Sequence, residues 1–119
     1  MKTKSATIAE LTAMVNAFRD AREWRQFHSP KELAIQLTLE AAELLELMQW
    51  RNGSELEKHL DARRELVADE LADVLHGVLL VADEMGIDLV KAFVEKMKKN
   101  EKKYPVAKAK GSAKKYHEL

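Results

Sequence analysis

The stretch ELVADELADVLHGVLLVADEMG, residues 65–86, decides how this chain folds. Leu66, Val67, Leu71, Val74, Leu75, Val78, Leu79, Leu80 and Val81 recur through it at helical intervals. No part of it alternates apolar with polar as a half-buried strand does. Gly86 closes it, because glycine adopts the left-handed backbone that ends a helix without steric cost. Its apolar positions spread over several faces, more than one layer of four helices readily covers. A central bundle helix accounts for that, but the favoured expectation is a second subunit packed against part of it.

Upstream, the helical pattern runs back to Ser54 and can break near Leu60. Thr7 with Glu10, Ser29 with Glu32, and Ser54 with Glu57 have capping-box spacing, in which a hydroxyl and a carboxylate satisfy N–H groups left free at a helix start. Pro30 falls at a first helical position, where its missing N–H costs nothing. The spacing predicts a first helix at about 7–26, a second at about 30–51, a turn at Asn52 and Gly53, and a third from Ser54 to Met85. Asp88 can cap a fourth, with Leu89, Ala92, Phe93 and Met97 at helical spacing, that fails before Pro105. The expected fold is all-α: a four-helix bundle domain over residues 1–107, then a basic tail over 108–119 in extended form.

Bulk composition narrows the chemistry. A chain of 119 residues, 46% hydrophobic and 34% charged, is one ordinary domain with a real core, not a disordered segment. It has no cysteine, which removes disulfides, thiolate zinc sites and a cysteine nucleophile. Its glycines, Gly53, Gly77, Gly86 and Gly111, form no phosphate-cradling loop, so a P-loop enzyme is excluded. Lys2 and Lys4 precede a weakly apolar stretch that Glu10 interrupts, and the longest uncharged run, Val74 to Ala82, is too short to span a bilayer. A soluble cytoplasmic protein is expected. The zero net charge hides an asymmetry: residues 1–95 carry 18 acidic and 11 basic side chains, and residues 96–119 carry nine lysines against Glu101 and Glu118. Such a tail can serve solvation, attract nucleic acid, or reach over a polyphosphate.

Two acidic pairs stand out. Glu40-Ala-Ala-Glu43 lies on the second helix and Glu70-Leu-Ala-Asp73 on the third, each spaced i, i+3 so that both carboxylates project from one face. Leu33, Leu44 and Leu47 flank the first pair, and Leu66, Val74 and Val81 the second, so both sit on inward-looking stripes. Asp20 with Glu23 and Glu43 with Glu46 show that such spacing also arises by chance, and Arg51, Arg63 or Arg64 could neutralise the pairs as salt bridges. Two pairs on neighbouring long helices favour a cation instead, since four clustered carboxylates need compensation. Mg²⁺ suits them best, being hard, oxygen-seeking and accustomed to keeping positions for water and phosphate.

The pattern resembles the all-alpha nucleoside triphosphate pyrophosphohydrolases, which include MazG, phosphoribosyl-ATP pyrophosphohydrolase and dimeric dUTPase and share E-x-x-E, a spacer, then E-x-x-D. A fuller likeness, to the MazG-like dCTP pyrophosphatase branch, rests on Arg22-Glu-Trp24-Arg-Gln-Phe27-His28, Gln49-Trp50, Lys96-Met97 with Asn100, Tyr104-Pro105 and Lys115-Tyr116-His-Glu-Leu119. The resemblance implies Mg²⁺-dependent cleavage of a deoxynucleoside triphosphate, dCTP or a relative, to the monophosphate and pyrophosphate. It also implies a homo-oligomer, a tetramer in preference to a dimer, and metal ligation by Glu40, Glu43, Glu70 and Asp73. Glu40 or Glu43 would double as general base for the attacking water. Trp24, Trp50 and His28 would line the base pocket, although core packing explains tryptophans as readily. Lys96 and Asn100, i, i+4 on the fourth helix, would meet phosphate and sugar, and Lys115 would close over the polyphosphate. Where that branch often has a tyrosine about one turn past the second pair, this chain has His76-Gly77, which bears on base preference. His59, His76 and His117 lack metal-ligand spacing. The competing reading is a helical interaction or nucleic-acid-binding module using the lysine tail. Phosphoribosyl-ATP hydrolysis fits the core pattern but not the two tryptophans or the closing motif.

Overall fold

The computed structural model describes residues 5–119, so Lys2 and Lys4 lie outside it. The described residues form helices and no strand, in two compact units divided after Gly86. The first unit holds α1 (Ile8–Ala21), a 3₁₀ turn (Arg25–Phe27), α2 (Pro30–Glu46), α3 (Gly53–Ala62) and α4 (Arg64–Met85). The second holds α5 (Leu89–Lys103), α6 (Val106–Ala109) and a 3₁₀ turn (Tyr116–Glu118).

Local chemistry sets most helix ends. Thr7 and Glu10 form the expected capping box, the Glu10 N–H donating to Thr7 Oγ1 at 3.1 Å and the Thr7 N–H to Glu10 Oε1 at 3.4 Å. Ser29 Oγ accepts from the Glu32 N–H at 3.2 Å, with Pro30 first in α2. Gly86, at φ 65°, gives its N–H to the Ala82 and Asp83 carbonyls and stops α4 as expected.

Elsewhere the helices are shorter than the pattern suggests. α1 stops at Ala21, five residues before its expected end, because Glu23 turns left-handed at φ 53° and the Trp24 N–H folds back to the Arg19 carbonyl at 3.1 Å. α2 stops at Glu46: the N–H groups of Leu47, Met48 and Gln49 each reach back three residues, and Trp50 takes φ 70°. The expected third helix is two, broken at Arg63 (φ −115°, ψ 31°), three residues past Leu60. The Ser54 box is unused, because Asn52 stands at the cap and Gly53 enters α3 at φ 55°. Nor is the tail simply extended. It opens on the end of α6 and contains the second 3₁₀ turn, and Tyr116 packs edge-on to Tyr104 at 6.2 Å with Lys103 Nζ 4.9 Å from its ring centre.

In the first unit α4 is the axis, with α2 packed along it and α1 and α3 against it. Gly77 permits the closest approach: a Cβ built there would meet the Cδ1, Cβ and Cα of Leu37 at 3.2, 3.3 and 3.4 Å. The core is small, with Leu33, Leu79, Leu80 and Ala82 buried beside the charged Arg19. Leu66, Leu71 and Leu75 of α4 remain 41–53% exposed, so much of its apolar circumference is uncovered. No helix among the described residues is long and apolar enough to cross a membrane.

Candidate metal centre and its adjoining cavity

The close packing of α2 on α4 brings Glu40, Glu43 and Glu70 together: one carboxylate oxygen from each lies within 4.8 Å of the others. Glu40 and Glu70 are half-buried and Glu43 is exposed. Gln36, one turn earlier on α2, donates Nε2 to Glu40 Oε1 at 2.8 Å. Glu40 Oε2 and Glu70 Oε2 are buried with no hydrogen-bond partner. Two orphaned anionic oxygens facing a third carboxylate are costly unless a cation joins them.

Two of the three arginines that could have supplied that cation, Arg51 and Arg63, make their contacts elsewhere. Arg63 Nη1 lies 2.9 Å from His59 Nδ1, and Arg51 Nη1 donates to the Gln49 carbonyl at 3.4 Å. Among the described residues no ion pair reaches Glu40, Glu43 or Glu70. An all-oxygen, uncompensated cluster with orphaned acceptors fits a hard divalent ion such as Mg²⁺. Asp73 stands outside the triplet. It borders the neighbouring cavity with Glu40 and adds to the negative field on that residue.

Burial first, and then the Glu43 and Asp73 charges, hold the Glu40 carboxyl above the usual carboxylate range, with the Gln36 hydrogen bond opposing them. A raised value means the metal-free fold prefers Glu40 protonated. That preference is fully expressed below the ordinary carboxyl value of 4.5 and is lost as pH rises through the shifted one. Metal-free protein is therefore expected to lose stability as pH rises from 4.5 toward neutrality, with Mg²⁺ restoring it at the upper end and having little effect at the lower, where protons compete for the same oxygens. Thermal melts in EDTA and in Mg²⁺ across that interval test this; a Mg²⁺ effect equal at both ends would contradict it.

Beside the cluster lies a cavity of about 500 Å³ between α1, the first 3₁₀ turn, α2 and α4. Trp24 and His28, two of the expected substrate contacts, line it. Trp24 packs edge-on to Phe18, centroids 5.7 Å apart, and Phe18 edge-on to His76 at 5.9 Å, while the Arg22 guanidinium lies 3.6 Å from the Phe18 ring centre. His28 Nδ1 is buried without a partner. Trp50, by contrast, is 88% exposed and lines no part of this cavity. Lys96, Asn100 and Lys115 belong to the second unit, where Lys96 is exposed, Asn100 Nδ2 lies 3.9 Å from Met97 Sδ, and Lys115 leads into the final 3₁₀ turn.

Sequence reasoning missed Arg19, Gln36 and His76 as lining residues. Arg19 carried a readable signal, since it continues the α1 stripe of Leu11 and Val15 at i, i+4 and i+8, and a charge on an apolar stripe is the feature that singled out Glu40. Its partner Asp83 is 64 residues away and carried none.

An all-helical unit whose two longest helices face each other through clustered carboxylates defines a class of metal-binding helical proteins. Residues 35–119 match the sequence model of the MazG-like family. The chain is 36% identical over 115 residues to the dCTP pyrophosphatase 1 proteins of Rattus norvegicus and Homo sapiens, an alignment covering 95% of this chain and 68% of each relative. The crystal structure of a pyrophosphatase from Archaeoglobus fulgidus superimposes with a TM-score of 0.78 at 40% identity, covering 88% of this chain and 98% of that one. The chain belongs to the MazG-like family.

Proposed function

We propose that this protein is a Mg²⁺-dependent nucleoside triphosphate pyrophosphohydrolase that converts dCTP or related deoxynucleoside triphosphates to the monophosphate and pyrophosphate. The observation that carries this reading is the uncompensated triplet Glu40, Glu43 and Glu70 opening beside an aromatic-lined cavity of nucleoside size. The names of the relatives, dCTP pyrophosphatase and pyrophosphatase, agree with it.

Glu40, Glu43 and Glu70 would hold the metal, with Asp73 as fourth ligand. Bound there, the ion supplies charge neutralisation and phosphate binding. The protein's own groups do the rest. Glu40 or Glu43 accepts the proton of the attacking water. Trp24 and His28 meet the base, with Trp50 a further contact. Lys96 and Asn100 remain candidates for phosphate and sugar contacts, and Lys115 of the basic tail for a polyphosphate contact. The uncovered leucines of α4, together with Trp50, support assembly as a homo-oligomer, a tetramer in preference to a dimer, and the cytoplasm is the proposed compartment. Nucleic acid remains the weaker partner, because the cavity and the orphaned carboxylates have no role in binding it.

A panel of nucleoside triphosphates incubated with Mg²⁺ tests the proposal by product. The expected products are pyrophosphate and a monophosphate; release of single phosphate alone would reject the reaction class.

A further inference from the structure

Gln36 and Glu40 stand four residues apart on α2, so their side chains lie one above the other on a single helix face. Gln36 Nε2 donates to Glu40 Oε1 at 2.8 Å, which makes the two oxygens of Glu40 unlike. Oε1 is held by an amide, whereas Oε2 is buried without a hydrogen-bond partner. Among the described residues no amide, hydroxyl or cationic side chain donates to Glu43 or Glu70. Glu40 is therefore the member of the triplet whose orientation is set by a residue outside it.

Pairs of this spacing also occur on solvated helix surfaces, where they contribute little. There both carboxylate oxygens stay wet, and here Oε2 does not. The last torsion of a glutamate is broad, so an unheld carboxylate turns readily. The Gln36 bond removes that freedom and leaves Oε2 as the oxygen still to be shared.

Such an arrangement suits one kind of divalent ion. Mg²⁺ demands near-ideal octahedral geometry and short bonds, so it gains from a donor oxygen already in place. Ca²⁺ is larger, takes more ligands in looser geometry and often accepts both oxygens of one carboxylate. For Glu40 to give both oxygens to one ion, its charge-assisted bond from Gln36 would have to stretch or break.

Resting on the metal site of the function proposed above, we infer that Gln36 is a positioning residue that holds Glu40 as a one-oxygen ligand and so sets a preference for Mg²⁺ over Ca²⁺. Gln36 touches neither the ion nor the reacting atoms in this role; it acts through Glu40.

Gln36→Met tests this, because methionine keeps the length and helix preference of glutamine and removes the amide. Apparent dissociation constants for Mg²⁺ and for Ca²⁺ are read from the melting temperature of the full chain against ion concentration, without nucleotide. Mg²⁺ binding is expected to weaken about tenfold in the variant, the usual loss when an outer partner of a metal ligand is removed, and Ca²⁺ binding to change far less. The ratio of the two constants therefore shifts about tenfold toward Ca²⁺. A general loosening of α2 would weaken both ions alike, so an equal change, or none, overturns the inference. Should the methionine variant fail to fold, Gln36→Ala carries the same comparison. Wild-type protein that responds to neither ion rejects the metal site and the inference together, whereas a wild-type response to Mg²⁺ with a ratio that neither variant moves rejects the role of Gln36 alone.

Discussion

Replacing Glu70 with glutamine is expected to lower Mg²⁺-supported pyrophosphate release by roughly a thousandfold, about 4 kcal/mol of transition-state stabilisation, while making the metal-free protein more stable. The two readouts separate because, on the proposed function, the cluster serves binding at the expense of the fold. Without a cation, three carboxylates lie within 4.8 Å of one another, and Glu70 Oε2 is buried with nothing to accept from. A glutamine amide removes one like charge and gives the Glu40 or Glu43 oxygens a donor, so the melting temperature in EDTA should rise by several degrees, a domain of this size shifting about 4 °C per kcal/mol. The same change deletes a hard anionic ligand, and Mg²⁺ should no longer raise the melting temperature. Calorimetry with and without Mg²⁺, beside pyrophosphate assays, checks both. A variant that loses activity and stability together would show Glu70 to be structural.

Gly77→Val is expected to damage activity through the helix interface and not through any ligand. The Gly77 backbone sits so close to α2 that even a Cβ would press on Leu37, including its Cα at 3.4 Å, and valine adds two further methyl groups. Overpacking of this kind costs about 1–3 kcal/mol. It pushes α2, which carries Glu40 and Glu43, away from α4, which carries Glu70. Displacements near 1 Å in a catalytic constellation can cost about a hundredfold, so kcat/KM should fall at least tenfold, with weaker Mg²⁺ binding and a lower melting temperature. Gly77→Ala makes the milder control: a shift of a few tenths of an ångström, offset by the better helix propensity of alanine, about 1 kcal/mol, should leave stability near wild type. Unchanged kcat/KM in Gly77→Val would show that the α2–α4 spacing does not set the site.

The acidic cluster was the most legible part of the molecule, because everything that singled it out was local. An i, i+3 spacing puts two carboxylates on one helix face whatever else the chain does, and their apolar neighbours mark that face as inward. The cavity was half legible. Trp24 and His28 could be named from a motif and Arg19 from its place on an apolar stripe, but nothing local names Asp83 as the partner of Arg19.

The sequence alone determined the all-helical class, the capped starts at Thr7 and Ser29, the stop at Gly86 and the two acidic pairs, since each depends on residues within one or two helical turns. Tertiary structure decided what depends on distance along the chain. The break at Arg63, the early ends of α1 and α2, the seating of Gly77 on Leu37 and the burial of Arg19 all arise where separate segments meet. There packing and desolvation outweigh propensities of a few tenths of a kcal/mol per residue. Only that meeting turned two stripes of carboxylates into one cluster with oxygens left to share.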